Sequence, residues 1–144
     1  MKNSHSLEGS QSVTLKIKTS RRTELQDVTE QVRALVSESG CHSGMCYLYV
    51  PHTTAGVLIN EGYDPAVARE IEAFLDRLVP RVPNSQHHEG NSDSHIKTAL
   101  VGSSQALWIK DGTLLLGRWQ ALFFAEFDGP RTRELRVKIV PGRA

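Results

Sequence analysis

The stretch Pro51-His-Thr-Thr-Ala-Gly-Val-Leu-Ile-Asn-Glu61 sets an imidazole, two hydroxyls, a carboxamide and a carboxylate around the apolar run Val57-Leu58-Ile59. A buried strand is ordinarily built from β-branched and aromatic residues. Here polar groups stand at both ends of the run, where strand meets loop and a rigid scaffold presents chemistry. His52 is therefore the leading candidate for an active-site residue. Further along stand His87, His88 and His95, among Glu89 and Asn91. Three imidazoles and an open position make the donor set of a catalytic zinc ion. The spacing from His87 to His95 fits neither a strand pair nor a helical i, i+4 pair, so an acid–base site stays open beside the metal site. His5 and His42 fall in a tail and a loop and read as structural or exposed.

Other groups point to phosphate. His95 falls in the first turn of an expected helix, whose positive end disfavours a charged imidazole and keeps it a neutral ligand or base near neutral pH. The free N–H groups there, with Lys97, can hold a phosphate; the plainer alternative is that Asn91-Ser-Asp-Ser94 only caps the helix. Thr53 and Thr54 can bind phosphate oxygens or simply close the turn after Pro51. Glu126, Asp128 and Arg131 surround a tight turn. They can bind a metal-bridged phosphate, Arg131 through two parallel hydrogen bonds, or form no more than an Asp128–Arg131 salt bridge.

The elements that must position these groups follow from pattern. Val13 to Thr19 alternates with period two, a half-buried strand, and Glu24 to Val28 reads as its returning hairpin partner. Thr29 can cap a helix that buries Val32, Leu35 and Val36 and ends at Gly40. Met45 to Val50 and residues 55–60 read as strands. Asp64-Pro65 opens a second helix with Val67, Ala68, Ile71, Leu75 and Leu78 as its buried stripe, stopped by Pro80. Residues 80–93 have no period, and loops of such length in compact domains are usually functional. Ser94 can cap a short helix with Ile96, Ala99 and Leu100 facing inward. Ala106 to Ile109 pairs with Thr113 to Leu116 across Lys110-Asp111-Gly112. Trp119 to Phe127 and Glu134 to Val140 complete the strands, with Trp119 read as core. The expected fold class is α+β, a mainly antiparallel sheet with two or three helices.

Composition sets outer limits. The chain has 144 residues, 39% apolar and 23% charged, with a formal charge of +1. That suits one domain: residues 1–11 as a disordered tail and 12–144 as the folded body. The near-neutral, interspersed charge argues against a nucleic-acid partner. Arg131, Arg133, Arg136 and Lys138 come nearest to a basic stripe and read as one solvated strand face. No apolar run approaches the ~20 residues of a membrane span, and the N-terminus lacks the apolar core of a signal peptide, so a cytoplasmic location is expected. Cys41 and Cys46, with four residues between them, read as free thiols.

Taken together, residues 51–61, Asp64-Pro65, His87 to Lys97, Leu116-Gly-Arg-Trp-Gln120 and Glu126-Phe-Asp-Gly-Pro-Arg131 resemble the secondary thiamine-phosphate synthase family, also called YjbQ-like. The likeness runs from about residue 12 to residue 140 in the same order. It implies an α+β subunit of a homotrimer with sites near subunit boundaries. It also implies an activity that joins a hydroxymethylpyrimidine pyrophosphate to a thiazole phosphate and releases pyrophosphate, as a weak or secondary function. His52, Thr53, Thr54, Asn60 and Glu61 match the first signature, His87, Asn91 and His95 the second, and Glu126, Asp128 and Arg131 the last. The resemblance implies a divalent metal, zinc first and magnesium second, on His52, His87 and His95. Two departures stand out: Asn84-Ser-Gln86 replaces an aromatic before the loop histidine and His88 doubles it, so His88 competes with His87. Leu107-Trp-Ile109 stands where relatives tend to have proline. Two other functions suit the same residues: a metal-dependent hydrolase of a small ester or phosphoester, and a non-enzymatic trimeric module that binds a small anion.

Overall fold

The computed structural model describes residues 9–81 and 90–142. Among them run eight strands and three helices: β1 (Gln11–Lys18), β2 (Glu24–Asp27), α1 (Thr29–Ser39), β3 (Gly44–Tyr49), β4 (Ala55–Glu61), α2 (Pro65–Leu78), α3 (Ser92–Val101), β5 (Ser104–Lys110), β6 (Thr113–Leu114), β7 (Gln120–Glu126) and β8 (Thr132–Pro141). Every strand pairing is antiparallel, in a five-stranded sheet β1-β8-β3-β5-β6 and a three-stranded sheet β2-β7-β4. The fold is α+β, as expected, with the strands divided between two sheets.

Alternation explains the layering. Ile17, Leu48, Leu135 and Val137 from the larger sheet meet Val57, Leu122 and Phe124 from the smaller one, with Val32 and Val36 of α1 sealing the same core. The opposite face of β7 presents Ala121, Phe123 and Ala125 to Ala68, Ile71 and Leu75 of α2 and Val101 of α3. Strand β7 is thus covered on both sides, which accounts for its unbroken apolar run. Gly56 is required where β4 passes under the end of α3, because a Cβ there would stand 2.4 Å from the Gly102 carbonyl oxygen.

Several local expectations are corrected. Strand β2 pairs with β7, not with β1, because sheet register depends on residues a hundred positions away that a local turn signal does not include. Helix α1 begins with Thr29 itself, whose hydroxyl donates to Asp27 at 2.6 Å and accepts from Leu122 N–H at 2.9 Å. Asp64 does cap α2, accepting from Ala66 N–H at 2.9 Å. Yet α2 has no fully buried residue, and Leu78 is 58% exposed.

Helix α3 is the largest departure. Its apolar Ile96 and Leu100 face outward, while Asp93, Ser94, Lys97 and Thr98 are buried. Trp119 also lies at the surface, edge-on to Tyr63 at 4.9 Å, instead of in the core.

Candidate functional site

The inverted burial of α3 has a direct cause: its polar face completes a hydrogen-bonded network with the ends of three strands. Alternation carries the core one rung too far, into polar residues. Thr19 follows Ile17, Glu126 follows Phe124, and Arg133 precedes Leu135, each on the face that looks into the space between the sheets. There Arg133 Nε donates to Glu126 Oε1 at 2.9 Å, and its terminal nitrogen donates to Thr54 Oγ1 at 2.8 Å. Thr19 Oγ1 donates to Glu126 Oε1 at 2.8 Å, and Asp128 N–H donates to Oε2 at 3.0 Å. Glu126 is fully buried. Burial alone would raise its pKa, but the hydrogen bonds from Arg133 prevail and hold the carboxyl below its ordinary range.

The network continues outward through the turn after β7. Asp128 accepts from Asn91 Nδ2 at 2.7 Å and from Arg131 at 2.8 Å, and its other oxygen lies 3.8 Å from Arg22 Nε. The turn salt bridge between Asp128 and Arg131 is therefore present. Arg22 grips Asp93 with two parallel bonds of 2.9 and 3.2 Å. Desolvation would raise the Asp93 pKa; the guanidinium more than offsets it and lowers it instead. Ser94 Oγ donates to the Phe127 carbonyl at 2.5 Å. Lys97, 1% exposed, pairs with Asp76 and lies 5.9 Å above the Phe127 ring. A cavity of about 440 Å³ opens here, lined by Arg21, Arg22, Arg81 and Lys97 against Asp76 and Asp93. The balance of its lining is cationic.

His52 joins at the inner end. Its Nε2 accepts a hydrogen bond of 2.9 Å from the backbone N–H of Glu134. Burial first, and the positive Arg133 second, lower its pKa. Thr54 is buried and spoken for: its carbonyl accepts from Phe127 N–H and its hydroxyl from Arg133. Thr53 is exposed.

The first signature is split by its own strand. Asn60 and Glu61 lie at the far end of β4, roughly 20 Å from Thr54 at 3.3 Å per residue. There Asn60 accepts from Glu61 N–H and Glu61 from Asp64 N–H, beside Tyr63 and Trp119. Within one subunit they do not join His52. His95 is half-buried in α3. His87, His88 and Glu89 lie outside the described residues.

A family profile described as UPF0047 protein YjbQ-like matches residues 13–142. The chain belongs to the YjbQ/UPF0047 family. It is 56% identical over 124 residues to a UPF0047 protein of Methanocaldococcus jannaschii, covering 86% of this chain and 90% of that one. It is 44% identical over 128 residues to UPF0047 protein YugU of Bacillus subtilis, covering 88% and 97%. A crystal structure of a YjbQ/UPF0047 protein from Clostridium acetobutylicum superposes with a TM-score of 0.86 at 48% identity, over 89% of this chain and 99% of that one. A YbjQ-like protein from Sulfolobus solfataricus, described as of unknown function, gives 0.87 at 28% identity over 92% and 98%.

Four residues central to the polar network escape the sequence reading: Arg22, Asp76, Asp93 and Arg133. Arg133 had a signal available. It shares the period of Leu135, Val137 and Ile139, so a solvated stripe of Arg131, Arg133, Arg136 and Lys138 is corrected: Arg133 is 4% exposed, while Arg136 and Lys138 do face outward.

A metal on His52, His87 and His95 can be tested at His52. A metal-bound imidazole donates its second N–H to an acceptor. The second nitrogen here meets a donor instead. In this orientation His52 does not suit a metal.

Proposed function

We propose that the chain is a transferase acting on a small phosphorylated molecule, with thiamine-phosphate synthase chemistry as its specific form. The observation that carries the reading is the cationic cavity whose arginine, Arg22, is locked in place by Asp93 and leans on Asp128. In that reaction a thiazole nitrogen attacks the pyrimidine methylene carbon, a C–N bond forms, and the C–O bond to pyrophosphate breaks. The negative charge that develops on the departing group is what the protein must stabilise. Preorganised cations in a partly dry site do this without reorganising. Arg22 and Arg131 would face the pyrophosphate, Lys97 would add field from behind, and Asn91 and Asp128 would hold Arg131. Thr53 supplies an exposed hydroxyl.

The exposed apolar residues support a homotrimer. Phe74 and Leu78 on α2, and Ile96 and Leu100 on α3, are each at least half exposed and one helical turn apart. Single exposed apolar residues are ordinary, but paired stripes on adjacent helices mark an interface. Assembly would also offer a neighbouring protomer's Asn60 and Glu61 a route to the site that their own subunit denies them.

The test is direct. Wild type and Arg131→Met are incubated with the two phosphorylated substrates, and thiamine phosphate and pyrophosphate are followed by phosphorus NMR. Product from wild type, and at least tenfold less from the variant at unchanged melting temperature, supports the reading. Saturable pyrophosphate binding without product identifies an anion-binding module instead.

A further inference from the structure

The Nε2 of His52 accepts a hydrogen bond from the backbone of a core strand, Glu134 N–H at 2.9 Å. A peptide N–H never surrenders its proton, so Nε2 must present its lone pair. A neutral imidazole carries one proton, and it therefore sits on Nδ1. The Glu134 N–H is fixed in turn, because Glu134 stands in register with Lys16 of β1 and Arg133 beside it is clamped by Glu126 and Thr54. Nδ1 has no hydrogen-bond partner among the described residues, and the side chain is only half buried.

We infer that His52 is locked as its Nδ1–H tautomer and serves as a hydrogen-bond donor to an anionic oxygen of the ligand, and neither binds metal nor takes a proton. Metal at Nδ1 would require an imidazolate, and metal at Nε2 would require loss of the Glu134 bond. Action as a base is blocked in the same way: Nδ1 already carries its proton, and a proton arriving on Nε2 would face another donor. The same geometry suits a donor. A neutral N–H on a ring whose far side is anchored to a rigid strand points with little loss of entropy on binding. That the acceptor is a phosphate oxygen rests on the function proposed above; the tautomer does not.

Nitrogen-detected NMR of the full chain labelled at histidine separates the two. The His52 signals are identified by their loss in His52→Asn, or by their proximity to the Glu134 amide should that variant fail to fold. In ligand-free protein the pattern of Nδ1 protonated and Nε2 bare is expected; an Nε2-protonated ring, or rapid exchange between tautomers, overturns the inference. Added zinc is expected to leave both His52 nitrogens unshifted, and a zinc-induced shift there overturns it. Inorganic pyrophosphate that binds by calorimetry is expected to move Nδ1 and spare Nε2. Binding that leaves Nδ1 unmoved overturns the donor role. No binding of pyrophosphate at all, with the tautomer as expected, overturns the phosphate-handling function and leaves the locked ring standing. His52→Asn, which keeps an N–H near the Nδ1 position, is expected to retain a tenfold or greater advantage in pyrophosphate affinity over His52→Ala; equal loss in both counts against the donor.

Discussion

Glu126 and Arg133 lie seven residues apart, on strands of different sheets, and meet in a buried ion pair with Arg133 Nε 2.9 Å from Glu126 Oε1. The pair closes one end of the core and ties the two sheets together beside His52. Its charged groups are matched by Thr19, Thr54 and the Asp128 backbone, so no buried valence is left over at this point.

Breaking that pair from one side should be severe. Glu126→Gln or Arg133→Met leaves a partner charge buried without its counterion, a change that typically costs about 3–5 kcal/mol. Urea unfolding of each variant should show an unfolding free energy lowered by that amount. A loss below about 1 kcal/mol would mean that the pair is solvated in solution.

Stability should also fall on acidification through these carboxyls. The folded-state pKa of Glu126 lies below its ordinary value of 4.5, and that of Asp93 below 3.8. Their contribution is complete above those ordinary values and is withdrawn as the pH falls toward the depressed folded ones. Unfolding free energy measured from pH 6 downward should begin to drop near 4.5 and continue below 3.8. In Glu126→Gln the drop should be shallower, since one of the two linked protons is gone.

Gly129→Ala should disturb the turn that carries Asp128 and Arg131. An added Cβ would stand 2.4 Å from the Arg21 carbonyl oxygen and 2.8 Å from Glu126 Cγ. Overpacking of this kind costs about 1–3 kcal/mol. Thermal melting reads the loss, and a fall in pyrophosphate affinity larger than that of a distant surface variant would place the turn at the binding site.

Leu100→Asp tests the assembly. The residue is 59% exposed in the protomer, so the fold of one chain should tolerate it, with a far-UV spectrum close to wild type. Sedimentation should show three protomers for wild type and smaller species for the variant. A wild type that sediments as a single chain would remove the trimer from the proposal.

Much of the fold is legible because strands advertise themselves by alternation. Strands β3, β4, β7 and β8 fall within a residue or two of their expected limits, and the Asp111-Gly112 turn has the positive φ values, 53° and 79°, that its hairpin requires. What local pattern does not contain is partnership. Glu24 to Asp27 is a strand either way; only the apolar face of β7 decides which sheet receives it. The candidate site suffers the same blindness. His52, Thr54, Asn91, Glu126 and Asp128 announce themselves by type and clustering, whereas Arg22 and Asp93 are single charges in ordinary surroundings until chain reversal brings them to 2.9 Å. Asn60 and Glu61 show the converse error, since nearness along an extended strand is distance in space.

The outward leucine and inward lysine of α3 invert the usual map of mutational tolerance. A saturation survey of an isolated protomer would find Ser94 and Lys97 unforgiving and Ile96 and Leu100 permissive. Any redesign guided by hydropathy alone, replacing buried polar positions with alkyl groups and greasy surface positions with charge, would dismantle the buried polar network and erase the exposed apolar stripe in a single pass.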